Sequence, residues 1–352
     1  MSLIEAVRHG GTDVLTSLRS VCDDRGLDAL SRRLAELGEL LVADMRLVAE
    51  GLGEVPRGER RVQRASHHLL DRGGKRLRPM CVALASRVGA GFDRRGRELA
   101  VAVELVHAAT LLHDDVVDLG DQRRGAPAAR AVYGNAASVF AGDWLLIEAL
   151  RRVRGADVAD TLDRLLAIIE EMIFAESLQL DSRGRVDTSI EDYFRVIDGK
   201  TAALFRWACH AGGRSGGLDD AACARLEAYG AHLGVAFQLI DDLLDYTGDS
   251  SKTGKDLYTD LREGKLTHPL LLARDASPRV VELLGELLAS GEGARAGLHQ
   301  ALVAEVRPVL GETRALAIRE AAAALAELEG LPEGPGRDGL RTVALATVER
   351  ER

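Results

Sequence analysis

Two long apolar segments, each running into a group of aspartates, limit what this chain can fold into. Residues 99–112 (LAVAVELVHAATLL) and 229–244 (YGAHLGVAFQLIDDLL) are apolar almost all round a 3.6-residue repeat. Each therefore predicts a helix buried on every side. Each meets a DDxxD: Asp114-Asp115-Val116-Val117-Asp118, and Asp241-Asp242-Leu243-Leu244-Asp245. Residues i and i+4 share a helix face, so Asp114 points with Asp118, and Asp241 with Asp245. Gly120 and Gly248 follow and read as helix C-terminal glycines. A helix C-terminus carries about half a negative charge and disfavours carboxylates. Placing them there twice, beside buried surface, calls for cations to hold the ends together. Hard oxygen donors in small number suit Mg²⁺, which binds through a few carboxylates plus substrate phosphates. Two central helices of this kind would set their acid clusters across one cavity.

The helical period extends over nearly the whole chain, near 28–50, 59–72, 78–90, 97–119, 135–153, 157–180, 190–211, 219–247 and 310–329. Gly73-Gly74, Pro79, Gly125 to Pro127, Gly212-Gly213 and Gly216-Gly217 punctuate it. No alternating strand pattern is present. Hydrophobic residues make up 46% of the 352, but aromatics only 4%, so the core must be Leu, Ala and Val, which favours helix. The fold class is all-α. Residues 1–27 read as an N-terminal extension, and 28–352 as one domain whose tail after 275 is helical.

The formal charge of −9 and the lack of interleaved aromatics exclude a nucleic-acid binder. Cys22, Cys81, Cys209 and Cys223 form no CxxC and read as buried thiols. The opening MSLIEAVRHG has an early acid and no apolar core, so it does not read as a signal peptide. No apolar run is long enough to span a membrane. The expectation is a cytoplasmic protein, with at most transient membrane contact.

Basic residues sharpen the chemistry. The chain uses Arg heavily, and its lysines are Lys75, Lys200, Lys252, Lys255 and Lys265, all in or beside glycine-containing junctions. A compact ammonium on a flexible stem binds phosphate as a point charge. Gly73-Gly74-Lys75-Arg76-Leu77-Arg78-Pro79 joins a glycine turn, three cations and a proline expected at the first helical position, which together make an anion site. Arg123-Arg124 follows the first acid cluster; Lys255 and Lys265 follow the second. Acid cluster then basic pair, twice, is what recognition of a Mg²⁺-diphosphate requires.

These residues resemble the trans-polyprenyl diphosphate synthases. The matching stretches, in the family's order, are GGKRLRP at 73–79, HAATLLHDDVVD at 107–118, Arg123-Arg124, GNAASVFAGDWL at 134–145, DGKTAALF at 198–205, FQLIDDLLDYTGD at 237–249 and GKDLYTDLREGKLTHP at 254–269. The resemblance implies the isoprenoid-synthase helical bundle around a central cavity, in a homodimer. It implies Mg²⁺-dependent head-to-tail condensation of isopentenyl diphosphate with an allylic prenyl diphosphate. By similarity Asp114, Asp118 and Asp241 are metal ligands, with Asp115, Asp242 and Asp245 behind them. Lys75, Arg78, His107 and Arg124 match the isopentenyl diphosphate site. Arg123, Lys200, Thr201, Gln238, Lys255 and Lys265 match the allylic site, where the Lys200 and Thr201 carbonyls and the Gln238 side-chain oxygen are candidates to stabilise an allylic cation.

Product length should be gated along the helix before Asp114, because one helical turn, 5.4 Å, is roughly one isoprene unit. The gate residues are Ala109 and Thr110, then Val106. Short-chain members often carry bulky aromatics there; this chain has none. Ala175-Glu176-Ser177-Leu178-Gln179 resembles the GExxQ of long-chain enzymes, departing at Ala175 where glycine is usual. The expected product is long, of heptaprenyl to decaprenyl size, from a farnesyl or similar primer. A short-chain geranylgeranyl or farnesyl synthase is the alternative within the family. A class I terpene cyclase would share the first cluster but not the second. A non-catalytic partner subunit would usually lack one of them.

Overall fold

In the computed structural model, residues 13–247, 258–289 and 295–349 are described. Helices form where the period predicts them: Asp28–Gly53, Arg61–Leu70, Leu77–Val88, Arg94–Val117, Asn135–Ala156, Thr161–Ser182, Asp220–Thr247 and Leu310–Leu328. The tail adds Pro278–Ala289, Arg295–Val306 and Pro335–Val348. A further helix, Asp13–Asp24, precedes them and packs on Asp28–Gly53, burying Leu15 and Cys22. The described residues fall into two compact units. One draws on Met1–Leu166, Leu204–Gly230 and Glu327–Val343, the other on Ala167–Ala203, Ala231–Ala326 and Ala344–Arg352.

In the first unit, helix Arg94–Val117 is the buried axis, packed most extensively against Asn135–Ala156 and also against Leu77–Val88 and Asp28–Gly53. Asp93 starts it by accepting hydrogen bonds from the Arg95 and Gly96 backbone N–H groups at 2.8 and 3.0 Å, which satisfies two otherwise orphaned donors. Every residue from Leu99 to Val106 is buried. The core is aliphatic, as composition requires, and its few large aromatics have satisfied polar tips. Trp207 donates to the Thr161 carbonyl at 2.9 Å, and Tyr229 to that of Leu340 at 2.8 Å. All four cysteines are buried free thiols.

Several local expectations are corrected. Helix Arg94–Val117 ends in a Schellman motif whose left-handed residue is Leu119 (φ 55°), not Gly120. The Leu119 N–H reaches the Val116 carbonyl at 3.4 Å, and the Gly120 N–H reaches that of Asp115 at 2.9 Å. Gly248 lies outside the described residues. Pro79 is the third residue of helix Leu77–Val88, not the first; it is tolerated because the N–H there has no intrahelical partner anyway. Gly212-Gly213 does not interrupt a helix but lies inside Ala203–Ser215. A Cβ at Gly212 would come within 2.7 Å of the Ala85 methyl, so the glycine permits two helices to touch. The punctuation at Gly125 to Pro127 belongs to a minimal hairpin: Gln122–Arg123 pairs antiparallel with Ala126–Pro127.

The second unit has a core of Tyr193, Ile197, Leu239, Ile240, Leu243 and Leu271, among others. The predicted 190–211 helix is broken here. Helix Ile190–Ile197, capped by Ser189 accepting from the Asp192 N–H at 2.9 Å, runs into a π-helical turn at Asp198–Ala202 before Ala203–Ser215 begins. Small residues hold this wide turn. A Cβ at Gly199 would lie 2.7 Å from the Ala175 methyl, and one at Gly234 would collide with the Ala202 backbone. The alanine that departs from the usual glycine at 175 thus packs on a glycine.

Candidate active site

The two acid clusters share one arrangement. Asp118 N–H donates to the Asp114 carbonyl at 2.8 Å, so these residues stand one turn apart on one face, and both keep partial exposure. Asp115 points inward, 1% exposed. Arg123 holds it with Nε at 2.8 Å and Nη2 at 2.5 Å from Oδ1. Burial raises the Asp115 carboxyl above the usual carboxylate range, while Arg123 pulls it down. In the second cluster Asp242 is the buried member, again 1% exposed, and Asp241 and Asp245 are partly exposed. Asp242 accepts from Tyr193 Oη at 2.6 Å, Gln238 Nε2 at 2.9 Å and the His268 N–H at 3.4 Å. Burial, then the charge of Asp260, pushes it up to about 8, and the three donors oppose that shift. Its Oδ1 meets the Gln238 Nε2 donor and accepts from it, and a proton on Oδ2 would have the Tyr193 hydroxyl oxygen as its acceptor. Asp245 Oδ1 accepts from the Thr259 N–H at 3.0 Å.

The donor chemistry fits Mg²⁺. In each cluster the second aspartate is buried and tied to protein, and the first and fifth are partly exposed. Among the described residues no group of three ligands stands ready-made. That suits a hard ion that takes one or two carboxylates and completes its octahedron with water and phosphate.

The first unit also holds the basic group around His107. The hairpin that carries Arg123 turns through Arg124 and Gly125, both left-handed (φ 53° and 70°), as a type I′ turn requires. This places the Arg124 guanidinium over Gly74: a Cβ there would lie 2.6 Å from Nη2. It also brings Nη1 within 3.4 Å of the Leu69 carbonyl. The second glycine of GGKRLRP is thus the seat of an arginine 50 residues on. Arg76 caps the helix in a left-handed conformation (φ 49°), and the Arg78 guanidinium lies 4.6 Å from the Phe205 ring centroid, a cation–π contact. His107 is pushed well below its usual pKa by burial, then by Arg78, Arg124 and Arg123, so the imidazole is neutral at pH 7. Lys75 is exposed beside this group. Val106 and Ala109 are fully buried, whereas Thr110 is partly exposed and donates to the His107 carbonyl at 2.9 Å.

The second unit holds a cavity of about 140 Å³ lined by Gln179, Arg183, Tyr193, Lys200, Thr201, Gln238, Asp242, Asp260 and Lys265, among others. Lys200 Nζ donates to Glu176 Oε2 at 2.5 Å and Gln179 Oε1 at 2.9 Å, so the polar residues of the ExxQ segment hold this lysine. Thr201 Oγ1 donates to Gln238 Oε1 at 2.9 Å. Lys265 donates to Glu263 at 2.7 Å. Lys255 and Lys252 lie outside the described residues. Sequence reasoning missed Tyr193, which reads as an ordinary core aromatic, and Arg183 and Asp260. It also missed Glu104, a buried acid within the apolar helix whose charge acts on Arg76 and Arg124.

The family model for polyprenyl synthetase matches residues 59–305. The chain belongs to this family. Octaprenyl diphosphate synthase of Escherichia coli (strain K12) is 37% identical over 323 residues, covering 91% of this chain and 99% of that protein. A decaprenyl diphosphate synthase structure from Rhodobacter capsulatus superposes with a TM-score of 0.82 at 35% identity, covering 90% of this chain and 99% of that one. Geranylgeranyl pyrophosphate synthetase from Pyrococcus horikoshii Ot3 gives 0.83 at 28%, again over 90% and 99%. The protein is a prenyltransferase, an all-trans polyprenyl diphosphate synthase with the all-α isoprenoid-synthase fold. A backbone this close to a decaprenyl and a geranylgeranyl enzyme leaves product length to side chains. No described helix is long and apolar enough to cross a membrane.

Proposed function

We propose that this polyprenyl synthase builds a long chain, of heptaprenyl to decaprenyl size, by adding isopentenyl diphosphate to a farnesyl or similar allylic primer with Mg²⁺. The observation that carries the length is the gate: Val106, Ala109 and Thr110, one and two turns before Asp114, include no side chain larger than valine. Asp114, Asp118 and Asp241 would hold the metal. When bound, it supplies Lewis-acid neutralisation of the charge that builds on the departing diphosphate. Arg123, Lys200, Lys255 and Lys265 would bind the allylic diphosphate oxygens. Lys75, Arg78 and Arg124 would bind those of isopentenyl diphosphate, with neutral His107 donating one N–H.

The allylic C–O bond breaks, and its electron pair leaves with the diphosphate. The Thr201 backbone carbonyl and Gln238 Oε1 face the resulting cation with negative dipole ends. The isopentenyl double bond supplies the electrons of the new C–C bond, and the lost proton passes to the released diphosphate. No catalytic histidine is needed.

Residues 28–352 would act as one catalytic domain in the cytoplasm, with 1–27 appended. Exposed apolar side chains fit a homodimer: Phe140 and Ile147, seven residues apart on one helix of the first unit, and Ile173, Phe174 and Leu180 in the second. The reading is tested by incubating the enzyme with isopentenyl diphosphate, farnesyl diphosphate and Mg²⁺ and sizing the dephosphorylated products by mass spectrometry. A ladder ending at a long polyprenol is expected. Arrest at geranylgeranyl length would overturn the long-chain assignment, and no elongation by folded protein would overturn the residue roles.

A further inference from the structure

One buried network in the second unit does more than complete a core. Tyr193 is 6% exposed, and its hydroxyl donates to Asp242 Oδ2. The other carboxylate oxygen accepts from Gln238 Nε2, and Gln238 Oε1 in turn accepts from Thr201 Oγ1. A glutamine amide fits sterically either way round, and only its hydrogen-bond partners decide which end points where. An Asp242 oxygen that carries no proton is an acceptor only, and with the Tyr193 hydroxyl on Oδ2 the oxygen facing Gln238 is Oδ1. Held beside Gln238, it obliges the amide to offer its NH₂ and leaves the carbonyl oxygen at the opposite end, toward Thr201 and the cavity. Tyr193 sits on helix Ile190–Ile197, which runs into the π turn bearing Thr201. One stretch of chain therefore carries both ends of the clamp on Gln238. The tyrosine ring is itself fixed, edge-on to Phe194 at 5.2 Å and tilted against His268 at 5.7 Å.

We propose that Tyr193 is a positioning residue: by anchoring Asp242 it locks the Gln238 amide with its carbonyl oxygen, rather than its NH₂, toward the reacting carbon of the allylic substrate. This rests on the role proposed above for Gln238. The orientation matters because the two ends of an amide have opposite polarity. The oxygen stabilises positive charge developing on carbon, and a flipped amide would set two partly positive hydrogens against it. Without the tyrosine hydroxyl, Asp242 keeps one donor fewer on Oδ2, its carboxyl plane is free to turn, and the amide loses its fixed partner. A tyrosine serving only as core would be replaced by phenylalanine at a cost in stability and none in the chemical step.

The test is a double-mutant cycle on the full-length enzyme with farnesyl diphosphate, isopentenyl diphosphate and Mg²⁺, comparing wild type, Tyr193→Phe, Gln238→Ala and the double variant, with thermal melts of each. Gln238→Ala is expected to lower kcat on the order of 10²-fold, and Tyr193→Phe about 10-fold, with both KM values within about twofold of wild type. In the Gln238→Ala background Tyr193→Phe should cost less than about twofold, because the group it positions is gone. Independent multiplication of the two effects would overturn the positioning role while leaving that of Gln238 standing. Unchanged kcat in Gln238→Ala would sink both. A Tyr193→Phe variant altered only in melting temperature would reduce the tyrosine to a core residue. Should Tyr193→Phe not fold, Asp242→Asn breaks the same relay one link further on and enters the same cycle with the same expected loss of additivity.

Discussion

The Asp115–Arg123 pair allows a prediction whose size and pH dependence both follow from geometry. Arg123→Met keeps an apolar stem and removes the guanidinium, stranding a carboxylate whose side chain is 1% exposed. Removing one partner of a fully buried ion pair costs about 3–5 kcal/mol. Arg123 itself is 32% exposed, so water already weakens the pair, and about 2 kcal/mol is the better figure here. In a chain of 352 residues that lowers Tm by about 3 °C. In the variant, burial and the nearby Asp118 act on Asp115 against the weaker pull of Arg130 alone, so its folded pKa rises further above the unfolded value. A group whose folded pKa is raised binds its proton more tightly when folded. The penalty is therefore complete above that pKa and shrinks as pH falls through it. Melts of wild type and variant should differ most well above that raised pKa and converge as pH falls toward the ordinary carboxylate range. Asp115→Asn/Arg123→Met, which removes the charge along with its partner, should regain most of the loss at the high-pH end. An equal gap at every pH, or a double variant no better than the single, would refute the argument.

Asp114→Asn should lower turnover by at least about 10²-fold without lowering Tm, because one of several crowded carboxylates loses its charge; a variant with near-normal kcat removes the metal assignment. Ala109→Phe should shorten the product, and because that methyl is fully buried it should also cost about 1–3 kcal/mol in overpacking. Thr110→Phe, at a partly exposed position, should shorten the product with the smaller stability loss; unchanged polyprenol masses in both variants would show that the chain runs along another wall. His268 is lowered to about 4 by burial and donates to or accepts from Thr313 at 2.8 Å. A depressed histidine supports folding above its unfolded pKa of about 6.5 and loses that support as pH falls toward about 4, so His268→Asn should flatten acid destabilisation by up to about 2–3 kcal/mol. Parallel melting curves from pH 7 to 4.5 would contradict this.

Helices were legible because a 3.6-residue period reports which face meets the core, and the buried run from Leu99 to Val106 shows that report to be accurate. Motif order was legible because acid and base alternate along the chain. The missed features depend on what a side chain meets rather than on which way it faces. A period cannot show that Tyr193, placed as any core aromatic would be, ends its ring on a carboxylate. Nor can it show that Gly74 is small because Arg124 lies over it, since only the hairpin turn through Arg124-Gly125 creates that encounter. The π turn is invisible for a related reason. One residue more than an α-helix would use, between Ile197 and Ala203, leaves the apolar pattern on both sides intact and changes only where the intervening carbonyls and side chains point. Lys200 and Thr201 stand in that residue-wide gap. A regular α-helix through 190–215 would carry them round by about 100° per residue gained or lost. Deleting one residue of the turn should therefore abolish synthesis in a protein whose helical content is unchanged, because helicity and catalysis are set here by different features of the same short stretch.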